Sequence, residues 1–107
     1  MSPTQRSLEY LREEGYLVAI VEKWNPWAKI RQDLFGFIDL LAIRENETLA
    51  VQTTSTNVSE RVKKIQDSEY VGNVRKAGWK IHVHGWRKNS KGRYTLRIVD
   101  VLSLIHI

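Results

Sequence analysis

The chain contains no cysteine among its 107 residues, which excludes a disulfide framework, a thiolate zinc site and a thiol nucleophile. Two prolines and six glycines are too few for a low-complexity or collagen-like segment. No stretch approaches the roughly 20 consecutive apolar residues of a membrane span, and the opening MSPTQRSLEY lacks the apolar centre of a signal peptide. The expectation is a cytoplasmic protein with no membrane partner. In that compartment the glycosylation triplets Asn46-Glu47-Thr48 and Asn57-Val58-Ser59 have no role. A Gly-rich phosphate loop, a dinucleotide fingerprint and a Ser/His/Asp arrangement in strand-turn-helix context are also missing, which sets those enzyme classes aside.

What is present suits one soluble globular domain spanning 1–107: 42% of residues are hydrophobic and 27% charged. Seventeen Lys and Arg face twelve Asp and Glu, giving a net charge of +5, which favours a polyanionic partner through long-range attraction and counterion release. Solvated lysine faces give the same balance, so charge alone does not decide.

Ser2-Pro3-Thr4 offers a cap and an early proline, and Thr4, Leu8 and Leu11 recur at helical spacing, predicting a helix over 3–14 that Gly15 ends. Residues 16–23 (YLVAIVEK) read as a strand, and 24–33 (WNPWAKIRQD) as an exposed loop or arm without periodicity. Residues 35–43 and 48–54 form two apolar strands joined by a turn at 44–47. Asn57 with Glu60 resembles a capping box opening a second helix, which breaks near Asp67 and ends at Gly78. Alternation at 81–86 and 94–98 gives two more strands around the loop 89–92. The order α-β-β-β-α-β-β predicts an α/β domain with a mixed sheet of about five strands flanked by helices.

Chemistry concentrates in the hairpin. Asp39 is a charge inside an apolar strand, and burying a lone carboxylate is costly unless a cation or donors meet it. Gln52 stands in the same position on the next strand, and Thr54, two residues on, shares its face. A hairpin turning at 44–47 brings Asp39 and Gln52 together at one end, where their oxygens can share a hard divalent cation. The alternative is a strand-end pair satisfied by backbone or water.

The run Ile38-Asp39-Leu40-Leu41-Ala42-Ile43, a short turn, then Leu49-Ala50-Val51-Gln52-Thr53-Thr54-Ser55 resembles the core motif of the PD-(D/E)XK nucleases. The likeness is greatest to the branch holding archaeal Holliday junction resolvases and phage or VRR-NUC-like nucleases, and the element order agrees from Arg6 to about Trp86. The resemblance implies a restriction-endonuclease-like core and a phosphodiesterase acting on DNA. It implies Mg2+ or Mn2+ held by Asp39, Gln52 and the Thr53 carbonyl, with an acidic residue from the first helix. Glu9 is the candidate there, although Gln5 matches the place by its distance from Gly15. The family's lysine falls at Thr54, whose hydroxyl cannot supply the positive charge, so Lys63 or Lys64 on the second helix is expected to take that role.

Around this site, Lys23, Trp24, Trp27, Lys29 and Arg31 form an aromatic-basic arm suited to phosphate contact and base stacking, or packed under a loop. Arg61, Arg87 and Lys88, with Lys91 and Arg93, extend the basic surface or are merely solvated. Asp33 is a turn-forming residue or an extra ligand. His82 and His84 share a strand face, but the third histidine is the distant His106, so they are expected to pack or touch phosphate rather than hold zinc. DNA and a second copy of the chain, as a homodimer, are the partners named. A DNA-binding module that has lost cleavage, and a small protein-interaction domain, are the rival functions.

Overall fold

Ser2 opens the first helix, α1 (Pro3–Glu13): its hydroxyl accepts from the Gln5 N–H, and Pro3 occupies a position whose N–H would have had no partner. The computed structural model describes residues 1–102. After α1 come β1 (Leu17–Ile20), β2 (Lys23–Asn25), β3 (Ile30–Gln32), β4 (Leu40–Arg44), β5 (Glu47–Thr54), α2 (Val58–Gln66), α3 (Val71–Lys76), β6 (Lys80–Lys88) and β7 (Tyr94–Asp100). Five of these strands form one sheet in the order β1-β4-β5-β6-β7. Only β5 and β6 run parallel in it, and α2 and α3 supply the crossover that a parallel pair requires. The α/β architecture with a mixed five-stranded sheet, expected from the element order, is therefore present.

Strand alternation sorts the core into two layers. Leu49 and Val51 of β5 pack with Leu40, Ala42 and the α1 residues Leu8 and Leu11. Their neighbour Ala50 packs with Ile81, Val83, Ile65 of α2 and Val71 and Val74 of α3. Among the described residues no helix is long and apolar enough to cross a membrane.

Several local expectations need correction. The strand expected over 16–23 ends at Ile20, and the stretch 24–33 is not a plain loop. Its ends pair as an antiparallel ribbon, Lys23 with Gln32 through Asn25 with Ile30, and Asn25 Oδ1 accepts from the Trp27 and Ala28 N–H groups to start the tip. The strand expected from Phe35 begins only at Leu40. Leu34 to Ile38 instead close a tight turn, with Phe35 and Gly36 at φ +53° and +82° and the Phe37 N–H donating to the Leu34 carbonyl. Two central residues at positive φ is the type I′ pattern, which Gly36 permits. Phe37 and Ile38 are fully buried all the same, which is why the run reads as apolar strand. Asn57 sits at φ +53° and its side chain makes no cap bond, so the capping box does not form. The break at Asp67 and the left-handed Gly78 after α3 are as expected.

Gly85 fixes how closely α2 approaches the sheet, since a Cβ there would lie 2.5 Å from Val58 Cγ2. Gly85→Ala is expected to destabilise the fold by about 1–3 kcal/mol through overpacking. Urea unfolding checks this, and Val58→Ala in the same chain should recover much of the loss.

Candidate metal centre

Two antiparallel ladders end at the same place. The β4–β5 ladder closes with Leu40 opposite Val51, so the next residues out, Asp39 and Gln52, face each other as the hairpin register required. The β2–β3 ribbon closes with Lys23 opposite Gln32, so the next residues out there, Glu22 and Asp33, face each other in turn. One carboxylate oxygen from each of Glu22, Asp33 and Asp39 lies within 4.8 Å of the others. No other such group of three His, Asp or Glu occurs among the described residues.

Asp39 is held from behind. Its Oδ2 accepts from the Thr53 N–H at 2.8 Å and the Thr53 hydroxyl at 3.2 Å. Because the Thr53 hydroxyl donates to Asp39, the Thr4 hydroxyl, 2.9 Å away, donates to Thr53. Burial, and then the neighbouring Asp33 and Glu22, push the Asp39 carboxyl up to about 8, against the Thr53 N–H, which lowers it. Below that value the Asp39 carboxyl keeps its proton and shares a hydrogen bond with Asp33; an added cation would take the place of that proton and let all three carboxylates ionise together.

Gln52 supplies the independent sign of a ligand. It is 2% exposed, its Nε2 donates to Asp33 Oδ2 at 3.4 Å, and its Oε1 has no hydrogen-bond partner. A buried amide oxygen without a donor is costly, and a hard cation accepts such an oxygen together with carboxylates. The residues present therefore fit a divalent ion of the Mg2+ or Mn2+ kind.

The site opens into a cavity of about 530 Å³ whose cationic lining is Arg31, Arg61 and Lys64. Arg31 pairs with Glu22 at 3.0 Å while remaining largely in solvent. Lys64 is thus the lysine that α2 brings to the site, and Lys63, exposed, is not part of the lining. Thr54 also lines the cavity, but its hydroxyl donates to the Thr56 carbonyl and accepts from the Thr56 N–H, closing a turn. The helix contributes differently from the expectation: Glu9 and Gln5 are exposed and outside the cavity lining, and Thr4 is the α1 residue that reaches the network. Thr53, expected through its carbonyl, meets Asp39 through its N–H and hydroxyl. Glu22 was not anticipated, and Asp33 moves from a secondary place to the centre.

The remaining candidates lie around this core. Lys23, Trp24, Trp27 and Lys29 stand exposed on the ribbon, Trp27 at 94%. Arg87 borders an adjoining cavity with Arg97, Ser55 and Thr56, and Lys88 lies 5.9 Å from the Tyr94 ring centre, which Arg6 also covers. No protein-family model matches this chain, and no curated protein matches it.

His84 belongs to the core, not to a metal site. Fully buried, it bonds through Nδ1 to the Ser7 hydroxyl, which also accepts from the Trp86 indole N–H at 2.8 Å. His82 is half-buried beside it, and His106 lies outside the described residues. Burial, and then His82, lower the His84 imidazole to about 4. Because the folded value lies below the ordinary 6.5, the unfolded chain binds the extra proton between those limits, so stability falls as pH drops through that window. Relative to a His84→Gln variant, the wild type should lose about 1 kcal/mol per pH unit there. Equal slopes in denaturant melts of the two proteins would contradict this assignment.

Proposed function

We propose that this chain is a divalent-metal-dependent DNA endonuclease of the PD-(D/E)XK type, with Glu22, Asp33, Asp39 and the Gln52 amide oxygen as the metal-holding set. The observation that carries the reading is buried Gln52, its amide nitrogen on Asp33 and its Oε1 without a hydrogen-bond partner, at the edge of three converging carboxylates. A bound Mg2+ or Mn2+ would supply Lewis acidity and charge neutralisation at a phosphodiester. The protein's own groups do the rest. Thr53, backed by Thr4, fixes one Asp39 oxygen so that the carboxylate keeps its orientation. Lys64 and Arg61 place positive charge at the cavity wall, where they favour the charge developing on the phosphoryl group. The ribbon's Trp24, Trp27, Lys23 and Lys29 offer stacking and phosphate contacts away from the centre.

The deciding experiment is a nicking assay on linear, branched and single-stranded DNA with manganese. Metal-dependent nicking supports the reading, and its absence from every substrate overturns it. A second reading, a DNA-binding module without cleavage, is favoured by one observation: Thr54 stands where the family's lysine would be, and its hydroxyl is spent on Thr56. In either reading, affinity for DNA should drop steeply between low and moderate salt, and Trp24→Ala with Lys29→Ala should weaken it for all sequences alike. Salt-insensitive binding in filter or anisotropy titrations would remove DNA as the partner and favour a protein-interaction domain.

A further inference from the structure

A second cavity, of about 400 Å³, is lined by Phe35, Tyr70, Asn73, Val74, Ala77 and Trp79. Its three aromatic rings are tilted against one another: Phe35 stands 6.1 Å from Tyr70 and 6.5 Å from Trp79, at 48° and 45° between planes. Resting on the nuclease reading above, we infer that this pocket receives an unpaired nucleobase of a DNA strand engaged at the carboxylate centre.

The lining is chemically selective. None of the six residues is charged, so the pocket offers no ion pair to a phosphate. What it offers is flat aromatic faces and one amide, Asn73, which has both a donor and an acceptor for a base edge. Two of the rings remain open to solvent, Phe35 at 44% and Tyr70 at 45%. Phe35 also sits at φ +53°, a conformation unfavourable for a bulky side chain and kept only where the surroundings enforce it. The type I′ turn thus presents an aromatic ring at a position that ordinarily takes Asn, Asp or Gly.

Two features tie the pocket to a nucleic-acid strand. Asp33 and Phe35 belong to one tight turn, so at most about 7 Å of chain separates the metal-holding residue from the aromatic one. Charge is complementary as well: the last turn of α3, the helix that carries Asn73 and Val74, bears Arg75 and Lys76. Arg75 donates to the Val101 and Leu102 carbonyls, whereas Lys76 is exposed.

The test uses single-stranded oligonucleotides in calcium, comparing an intact strand with one made abasic at a single position and moving that position along the strand. Wild type should bind the intact strand about 5- to 100-fold more tightly than the abasic strand at one position, the range that base–aromatic stacking supports. A 2-aminopurine placed there should change fluorescence on binding. Phe35→Gly should abolish the preference while keeping the fold, since glycine is at ease at that φ. Tyr70→Ala should reduce the preference, and Phe35→Trp should retain it. Equal binding of intact and abasic strands overturns the inference, as does a preference untouched by Phe35→Gly, and as does failure to bind either strand. Equal binding is also the outcome expected if the pocket holds an apolar side chain of a protein partner. Nicking measured in parallel separates the two claims: a base preference without manganese-dependent nicking removes cleavage and keeps the pocket, and the reverse removes the pocket alone.

Discussion

Asp39→Asn is expected to abolish nicking and, in the same molecule, to raise the melting temperature measured without metal. The two effects have one origin. Asp39 is the buried member of the carboxylate group, with Asp33 and Glu22 within 4.8 Å. Asparagine keeps an oxygen for the Thr53 N–H but removes the negative charge. Since the Asp39 carboxyl is raised to about 8, its folded form holds a proton that the unfolded chain has lost above the ordinary 3.8. The stability associated with that proton is lost as pH rises towards 8, and the asparagine variant does not lose it. A gain of a few degrees at pH 8 in a chelator is the expected result, at about 4–8 °C per kcal/mol for a domain of this size. Manganese should then raise the melting temperature of the wild type and leave the variant nearly unchanged, because only the wild type binds it. Nicking should fall by at least about a hundredfold. Undiminished nicking by the variant, or equal manganese shifts in both proteins, would remove Asp39 from the centre.

Lys64→Ala should cost about a hundred- to a thousandfold in cleavage rate while sparing DNA affinity, and Lys63→Ala should change the rate little. The contrast follows from position alone: adjacent on α2, they point different ways, and only Lys64 lines the cavity. Single-turnover cleavage with independent binding titrations separates the rate from the affinity. If both alanine variants cleave like the wild type, neither lysine does the work that the family assigns to the position of Thr54. Thr54→Lys does not simply restore that lysine, because it breaks the turn that the Thr54 hydroxyl closes with Thr56. Lower stability is expected to accompany any gain in rate.

Half of the centre was legible in the sequence. Asp39 and Gln52 stand out because each is polar within an apolar strand, and the short turn between Arg44 and Glu47 sets a register that makes them face each other. Glu22 and Asp33 escape the same reasoning for a physical reason. The ribbon between them buries almost nothing, with Ile30, Arg31 and Gln32 all exposed, so it carries no hydrophobic alternation by which a strand announces itself. Glu9 lies away from the cavity for a reason the helix period shows. Thr4, Leu8 and Leu11 mark the buried stripe of α1, and a helical wheel puts Gln5 and Glu9 off that stripe. The type I′ turn was hidden because Phe37 and Ile38 are buried without being in a strand of the sheet.

The ribbon is spliced between β1 and β4, which are themselves neighbours in the sheet, and it returns to the body of the protein through Glu22 and Asp33. If the base holds an ion and the tip a partner, as proposed, grip and ion affinity are two readings of one mechanical element. Any partner that tilts the ribbon alters the spacing of two of the three carboxylates, and thermodynamic reciprocity requires the ion to alter the affinity for that partner by the same factor. Occupancy at the base would thus set how firmly Trp24 and Trp27 hold what they touch, and a ribbon cut short would lose this cooperativity before it lost the sheet.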